Sequence, residues 1–286
     1  MTWQAIVSAE EVAERLEDAR LRVFDCRYDL MNPDAGRAAY RQGHLPGAIH
    51  ADLHEDLAGP RTARSGRHPL PDPGTFAAWL RRCGVDDSSW LLAYDDANGA
   101  WASRFWWMTV KWLGHPHVAV LDGGLRRWLA LGLPVTDELA APGAEGTFVG
   151  RLNPGAVVDA ATAGAAALDP ARRVLDARAP ERYRGEVEPI DAVAGHIPGA
   201  RNHPAAGVVS ADGTFLPPAR LRAELSATLG DVDARNAIAY CGSGVTACHL
   251  LLGLERAGLP GARLYAGSWS EWSSDPSRPV ARGSGS

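Results

Sequence analysis

The sequence predicts an α/β protein made of two tandem domains, each a mainly parallel sheet flanked by helices. Three observations carry this reading. Short apolar runs alternate with helical patterns along the chain, as in strand–helix–strand units. The runs read as buried strands rather than as half-exposed ones. The second half repeats the order of the first at a nearly constant spacing of about 150 residues, which marks a duplicated domain and not a solenoid.

The first half opens with Ser8-Ala-Glu-Glu11 ahead of Val12, Leu16 and Ala19, a capping box before a short amphipathic helix. Leu21–Asp25 is a strand, followed by the turn Gly43-His-Leu-Pro-Gly-Ala48. Trp90–Asp95 is a second strand. Ser103–Trp112 is an aromatic helix, Val118–Leu121 a third strand, and Leu125–Leu131 a helix stopped at Gly132 with Pro134 beyond. In the second half Arg173–Asp176 matches the strand ending at Asp25, and Gly195-His-Ile-Pro-Gly-Ala200 matches the turn at His44. Ile238–Cys241 matches Leu92–Asp95, Leu264–Gly267 matches Leu121–Gly124, and Trp272 matches Trp128. The boundaries follow: a first domain over 1–137, a linker over 138–154 where Pro and Gly break the periodicity, and a second domain over 155–286.

A chain of 286 residues with 46% hydrophobic and 22% charged residues and a net charge of -5 has the make-up of a soluble globular protein. The charge speaks against nucleic-acid partners. No apolar run approaches the length of a membrane span, and Met1–Ser8 lacks the pattern of a signal peptide, so a cytoplasmic setting is expected. Cys26, Cys83, Cys241 and Cys248 form no C-x-x-C pair, which argues against a disulfide scaffold and a structural zinc site. No metal or cofactor is expected.

What both halves share is fold; what one half has alone points to function. Cys241 passes that test, because Asp95 stands at the matching strand end. Cys241 closes an apolar run, a small-residue loop follows, and a helical pattern starts near Ala247. A thiol at a strand end beside a helix start is surrounded by backbone N–H groups, which favour an anionic sulfur. Cys248 falls among leucines and reads as core; Cys26 matches Ala177 and reads as packing. Asp25-x-Arg27 and Asp176-x-Arg178 repeat, as internal ion pairs would. Trp269 lies where it could wall a pocket.

The segment Cys241-Gly-Ser-Gly-Val-Thr-Ala247 resembles the active-site loop of the rhodanese superfamily, and within it the 3-mercaptopyruvate sulfurtransferase branch. Asp176-Ala-Arg178, Arg182-Tyr-Arg-Gly185, the two Gly-His-x-Pro-Gly-Ala turns, Tyr94-Asp-Asp96, Arg104–Trp107 and Gly267–Trp272 fit the same family. The resemblance spans nearly the whole chain. It implies two tandem rhodanese-like domains, an inactive first and a catalytic second, with Cys241 accepting a sulfane sulfur as a persulfide. It implies that Arg182 binds the donor's acidic group and that Gly242, Gly244, Val245, Thr246 and Ala247 cradle the sulfur. It also implies that Ser243 works with a histidine and an aspartate from the first domain, by motif His44 and Asp34. The acceptor would be a thiol, such as thioredoxin or a small glutathione-like thiol, or cyanide.

Ala247 stands where related phosphatases carry a phosphate-clamping arginine, so phosphate chemistry is not expected. By the same resemblance, Gly242 and Ser243, where thiosulfate enzymes carry cationic side chains, favour 3-mercaptopyruvate, while Ile190, near where mercaptopyruvate enzymes carry a second arginine, keeps thiosulfate as the alternative. Arg184 is a conceivable substitute for it. Thr246 is expected to cap the following helix. A non-catalytic binding module of the same fold is the remaining alternative.

Overall fold

The computed structural model describes residues 5–140 and 143–284. Within them the chain divides into two compact units. The first holds residues up to Gly59, Leu70–Asn153 and Ala211–Phe215; the second holds Pro60–Pro69, Pro154–Ser210 and Leu216 onward.

The first unit contains a five-stranded sheet of β1 (Ile6–Val7), β2 (Leu21–Asp25), β3 (Ala48–His50), β4 (Trp90–Tyr94) and β5 (Val118–Leu121). Their order is β1-β5-β4-β2-β3 and every pairing is parallel. The capping box forms as the sequence requires: Ser8 Oγ accepts the Glu11 N–H, and Glu11 accepts the Ser8 N–H. The aromatic helix is α-helical over Ala102–Trp106 and widens into a π-helix over Trp107–Trp112. Thr109 Oγ1 donates to the Phe105 carbonyl at 2.6 Å, a bond that competes with the regular ladder, and Leu113 N–H reaches back to Met108.

Among the described residues of the expected linker no helix or strand forms before Pro154, which opens a 3-10 helix, yet the stretch is tied to the first unit. The amides of Gly146, Phe148, Arg151 and Asn153 donate to the carbonyls of Arg81, Val85, Leu113 and Trp112, and the Phe148 ring is buried. Ala141 and Pro142 of that stretch lie outside the described residues. Reading the boundaries along the chain also missed that Pro60–Pro69 belongs to the second unit and Ala211–Phe215 to the first.

The second unit repeats the sheet with β6 (Val157–Val158), β7 (Arg173–Asp176), β8 (Arg201–Asn202), β9 (Ala237–Tyr240) and β10 (Arg263–Tyr265). The order β6-β10-β9-β7-β8 is the same and again wholly parallel. Small details repeat too. His44 bridges Thr136 and His196 bridges Ala281; each histidine stacks on a tyrosine, Tyr40 or Tyr183, and hydrogen-bonds that tyrosine's carbonyl through Nδ1. One register differs by a residue from the sequence match. Gly267 caps its helix as Gly123 does, so it pairs with Gly123 and not with Gly124.

Candidate active site

The middle strand of the second sheet, β9, ends at Tyr240 and delivers Cys241 to the carboxyl edge, where open parallel sheets place their sites. The thiol is buried at 1% exposure. Its Sγ accepts the Gly244 N–H at 3.2 Å. Gly244 has φ +79, and a Cβ there would press into the Ala266 carbonyl, so the loop can fold over the sulfur only with glycine at this place. The helix Thr246–Arg256 follows, with Val245 at its N-cap and no side chain capping it. Thr246 is therefore the first helical residue and not the cap, which leaves the helix start to the loop. Cys248, fully buried in that helix, donates its S–H to the Gly244 carbonyl at 3.4 Å and steadies the same turn.

The turn after β10 fixes the loop from behind. Ser268 Oγ accepts the Cys241 N–H at 3.1 Å and donates to the Tyr265 carbonyl at 2.9 Å. Ser268 is held at φ +54, a costly conformation for a residue with a Cβ, and these two bonds hold it there. Trp269 and Ser270 donate their amides to the carbonyls of Cys241 and Gly242.

Two guanidiniums border the loop. A Cβ on Gly242 would lie 3.1 Å from Arg67 Nη2 and 3.6 Å from Arg182 Nη1. Arg182 is held by Glu188 at 2.6 Å and by Asp191 at 3.4 Å; Arg67 is paired with Asp191. Burial works to raise the Glu188 carboxyl, but the bonds from Arg182 and from the Asp191 and Ile190 amides outweigh it and hold it below the usual carboxylate range. Burial dominates at Asp191 and pushes it up, with Arg67 and Arg182 offsetting part of the shift. Arg178 completes the chain: it pairs with Asp176 at 2.6 Å and Glu188 at 3.3 Å, and lies 4.6 Å over the Trp269 ring.

Ser243, on the loop, meets a side chain from the Pro60–Pro69 segment. Its Oγ and His68 Nδ1 lie 2.8 Å apart, and both residues are buried. The segment is anchored by Gly66, whose missing Cβ leaves room for the Gly267 carbonyl, and by the Arg67 N–H on Ser270 Oγ at 3.0 Å.

A rhodanese-like domain model matches residues 8–131 and 159–275. The chain belongs to the rhodanese family. Over 285 residues it is 47% identical to a probable 3-mercaptopyruvate sulfurtransferase of Pseudomonas aeruginosa, covering 99% of this chain and 100% of that one. It is 42% identical to the putative thiosulfate sulfurtransferase SseB of Mycobacterium tuberculosis, covering 98% of each. The solved structure of SseA from Escherichia coli, described as a 3-mercaptopyruvate sulfotransferase, superposes with a TM-score of 0.80 at 34% identity, over 95% of this chain and 100% of that one.

This rhodanese departs from the sequence expectations in its histidine, its aspartate and its second arginine. His44 is fully buried in the first unit, with Nδ1 on the Tyr40 carbonyl at 2.7 Å and Nε2 on the Glu138 carbonyl at 3.1 Å. It is a structural residue, as its twin His196 is; the histidine on Ser243 is His68. Asp34 is exposed in the first unit, where it precedes the helix Ala35–Gln42 without a capping bond. The second guanidinium beside Gly242 is that of Arg67; Arg184 is paired with Glu186 at 2.7 Å near the surface. Trp269 is core rather than wall: its indole is fully buried and donates to the Val193 carbonyl. Burial pushes the Cys26 thiol well above its usual range and the half-buried Cys83 thiol up to about 12, so neither has the setting of an activated thiol.

Proposed function

We propose that the protein is a sulfurtransferase that takes sulfur from 3-mercaptopyruvate onto Cys241 and passes it to a thiol or to cyanide. The observation that carries this is the setting of Cys241: a thiol under the Gly244 amide, with two guanidiniums beside Gly242. The Cys241 thiolate attacks the donor's sulfur. The carbon–sulfur bond breaks, its electron pair stays on carbon as the pyruvate enolate, and a proton converts that to pyruvate. Cys241 is oxidised to the persulfide as the donor carbon is reduced. An acceptor thiolate then attacks the outer sulfur and frees the Cys241 thiolate.

Arg182 and Arg67 supply the donor's carboxylate with paired donors, and position the sulfur over Cys241. The loop amides hold the charge that collects on sulfur. Ser243, hydrogen-bonded to His68, hands the enolate its proton. Thiosulfate remains a second reading, favoured by the similarity to the mycobacterial relative. Steady-state assays with both donors decide between them: kcat/KM at least tenfold higher for 3-mercaptopyruvate supports the first reading, and the reverse order replaces it.

A further inference from the structure

Arg67 and Arg182 are joined by one carboxylate. Asp191 Oδ1 pairs with Arg67 Nη1, and its Oδ2 lies 3.4 Å from Arg182 Nη2. The carboxylate is nearly buried, at 7% side-chain exposure, against 15% for Arg67 and 18% for Arg182. The other edges of the two guanidiniums border Gly242, and Arg67 Nε is buried without a hydrogen-bond partner among the described residues. The site thus offers unspent donors on the side of the sulfur loop, and a fixed negative charge on the other.

The charges continue inward. From Arg67 the chain runs through Asp191, Arg182, Glu188 and Arg178 to Asp176, with guanidiniums and carboxylates alternating. Three of each sign make the cluster formally neutral. A donor with a single carboxylate adds one negative charge to it; thiosulfate adds two. In a site this dry the second charge is opposed strongly.

We propose that Asp191 sets donor specificity: it aligns the Arg67–Arg182 pair as a clamp for one carboxylate and cancels the charge that a dianion would need. This rests on the sulfurtransferase reading for its biological meaning, and on geometry alone for its anion preference. Asp191 touches the two arginines and not the reacting atoms, so it is a positioning residue. Its segment Glu188-Pro-Ile-Asp191 turns around Glu188, whose Oε1 accepts the amides of Ile190 and Asp191, and that turn fixes Asp191 between the guanidiniums.

The test is calorimetric binding of pyruvate, a monoanion, and sulfate, a dianion, to the reduced full-length protein at constant ionic strength. Wild type binds pyruvate the more tightly. In Asp191→Asn, sulfate affinity rises about tenfold relative to pyruvate, since a unit charge a few ångströms away is removed. Arg67→Gln changes the balance the other way and weakens sulfate more than pyruvate, which keeps the test open if Asp191→Asn does not fold. Equal changes for both anions in either folded variant overturn the proposal, as does a wild type that binds neither anion in the millimolar range. A parallel mass measurement of Cys241 persulfide in wild type separates the two claims. Absence of persulfide with the anion preference intact overturns the sulfurtransferase reading alone. Persulfide with no change in anion preference overturns the role of Asp191 alone.

Discussion

Asp95 occupies in the first sheet the position that Cys241 occupies in the second. Each follows the middle strand of five, β4 or β9, and each accepts from the loop behind it, Cys241 one amide, from Gly244. Asp95 takes four: Ala97 and Gly99 on one oxygen, Trp101 and Ala102 on the other, at 2.8–2.9 Å. The loop after β4 thus gathers four amides on a carboxylate, where the loop after β9 sets one amide on a thiol. Burial pushes that carboxyl up, and the four bonds offset only part of the shift. Removing it strands four donors in a dry site. Asp95→Ala should lose about 2–4 kcal/mol of stability, whereas Cys241→Ala, which gives up one weak acceptor, should lose about 1 kcal/mol. Urea midpoints of the two variants check this.

Gly244→Ala combines a left-handed backbone with a clash against the Ala266 carbonyl. It should cost about 1–3 kcal/mol, and it should slow persulfide formation at Cys241 by more than tenfold because the amide over the sulfur is displaced. Single-turnover rates with 3-mercaptopyruvate read the second effect separately from the first.

His68→Asn and Ser243→Ala should each lower kcat with 3-mercaptopyruvate about 10- to 100-fold with little change in KM, and the double variant should lose little more than either single one. His44→Asn should lower the thermal midpoint and leave kcat within about twofold. A kcat loss at His44 like that at His68 would mean the proton route has been misassigned.

The two histidines show where sequence reading succeeds and fails. The two parallel sheets, the strand limits at Leu21–Asp25, Val118–Leu121 and Arg173–Asp176, and the Asp-x-Arg braces were legible because local apolar runs and the duplication fix them, whereas the order of the strands and the short strands β1, β3, β6 and β8 were not. The place of Cys241, after a buried strand and ahead of a small-residue loop and a helix, was legible for the same reason, since one half could be checked against the other. His68 and Arg67 were not, because they lie on a loop with no apolar period, and long-range docking, not local pattern, brings them to Ser243 and Asp191. A signal was there: residues 51–72 form an unusually long connection that carries Arg61, Arg64, Arg67 and His68, and long connections in compact domains tend to carry function. His44 misled because its motif is conspicuous, though its repetition at His196 already marked it as part of the fold.

Asp56, in the first unit, gives the stability a pH dependence. Burial, with Asp52 and Glu55 adding to it, pushes its carboxyl from 3.8 up to about 6, against the hydrogen bond from the Asp52 amide and the charge of Arg37. The folded chain therefore holds this proton more tightly than the unfolded one. Stability falls as pH rises from about 4 to about 6, and the penalty stays in full above that window. Asp56→Asn removes it, so the variant should gain on wild type across the window, by about 3 kcal/mol near pH 7. Thermal midpoints at pH 4.5 and 7.5 check the sign: the gap should be small at the lower pH and open at the higher.

The central claim is that Cys241 carries the sulfur. Intact-protein mass spectrometry after brief incubation with 3-mercaptopyruvate, followed by cyanide, tests it most directly. Wild type should gain the mass of one sulfur atom, lose it to cyanide, and show it on the peptide containing Cys241; Cys241→Ser should gain nothing. A sulfur adduct that persists in Cys241→Ser, or that maps to Cys26, Cys83 or Cys248 in wild type, would contradict the account.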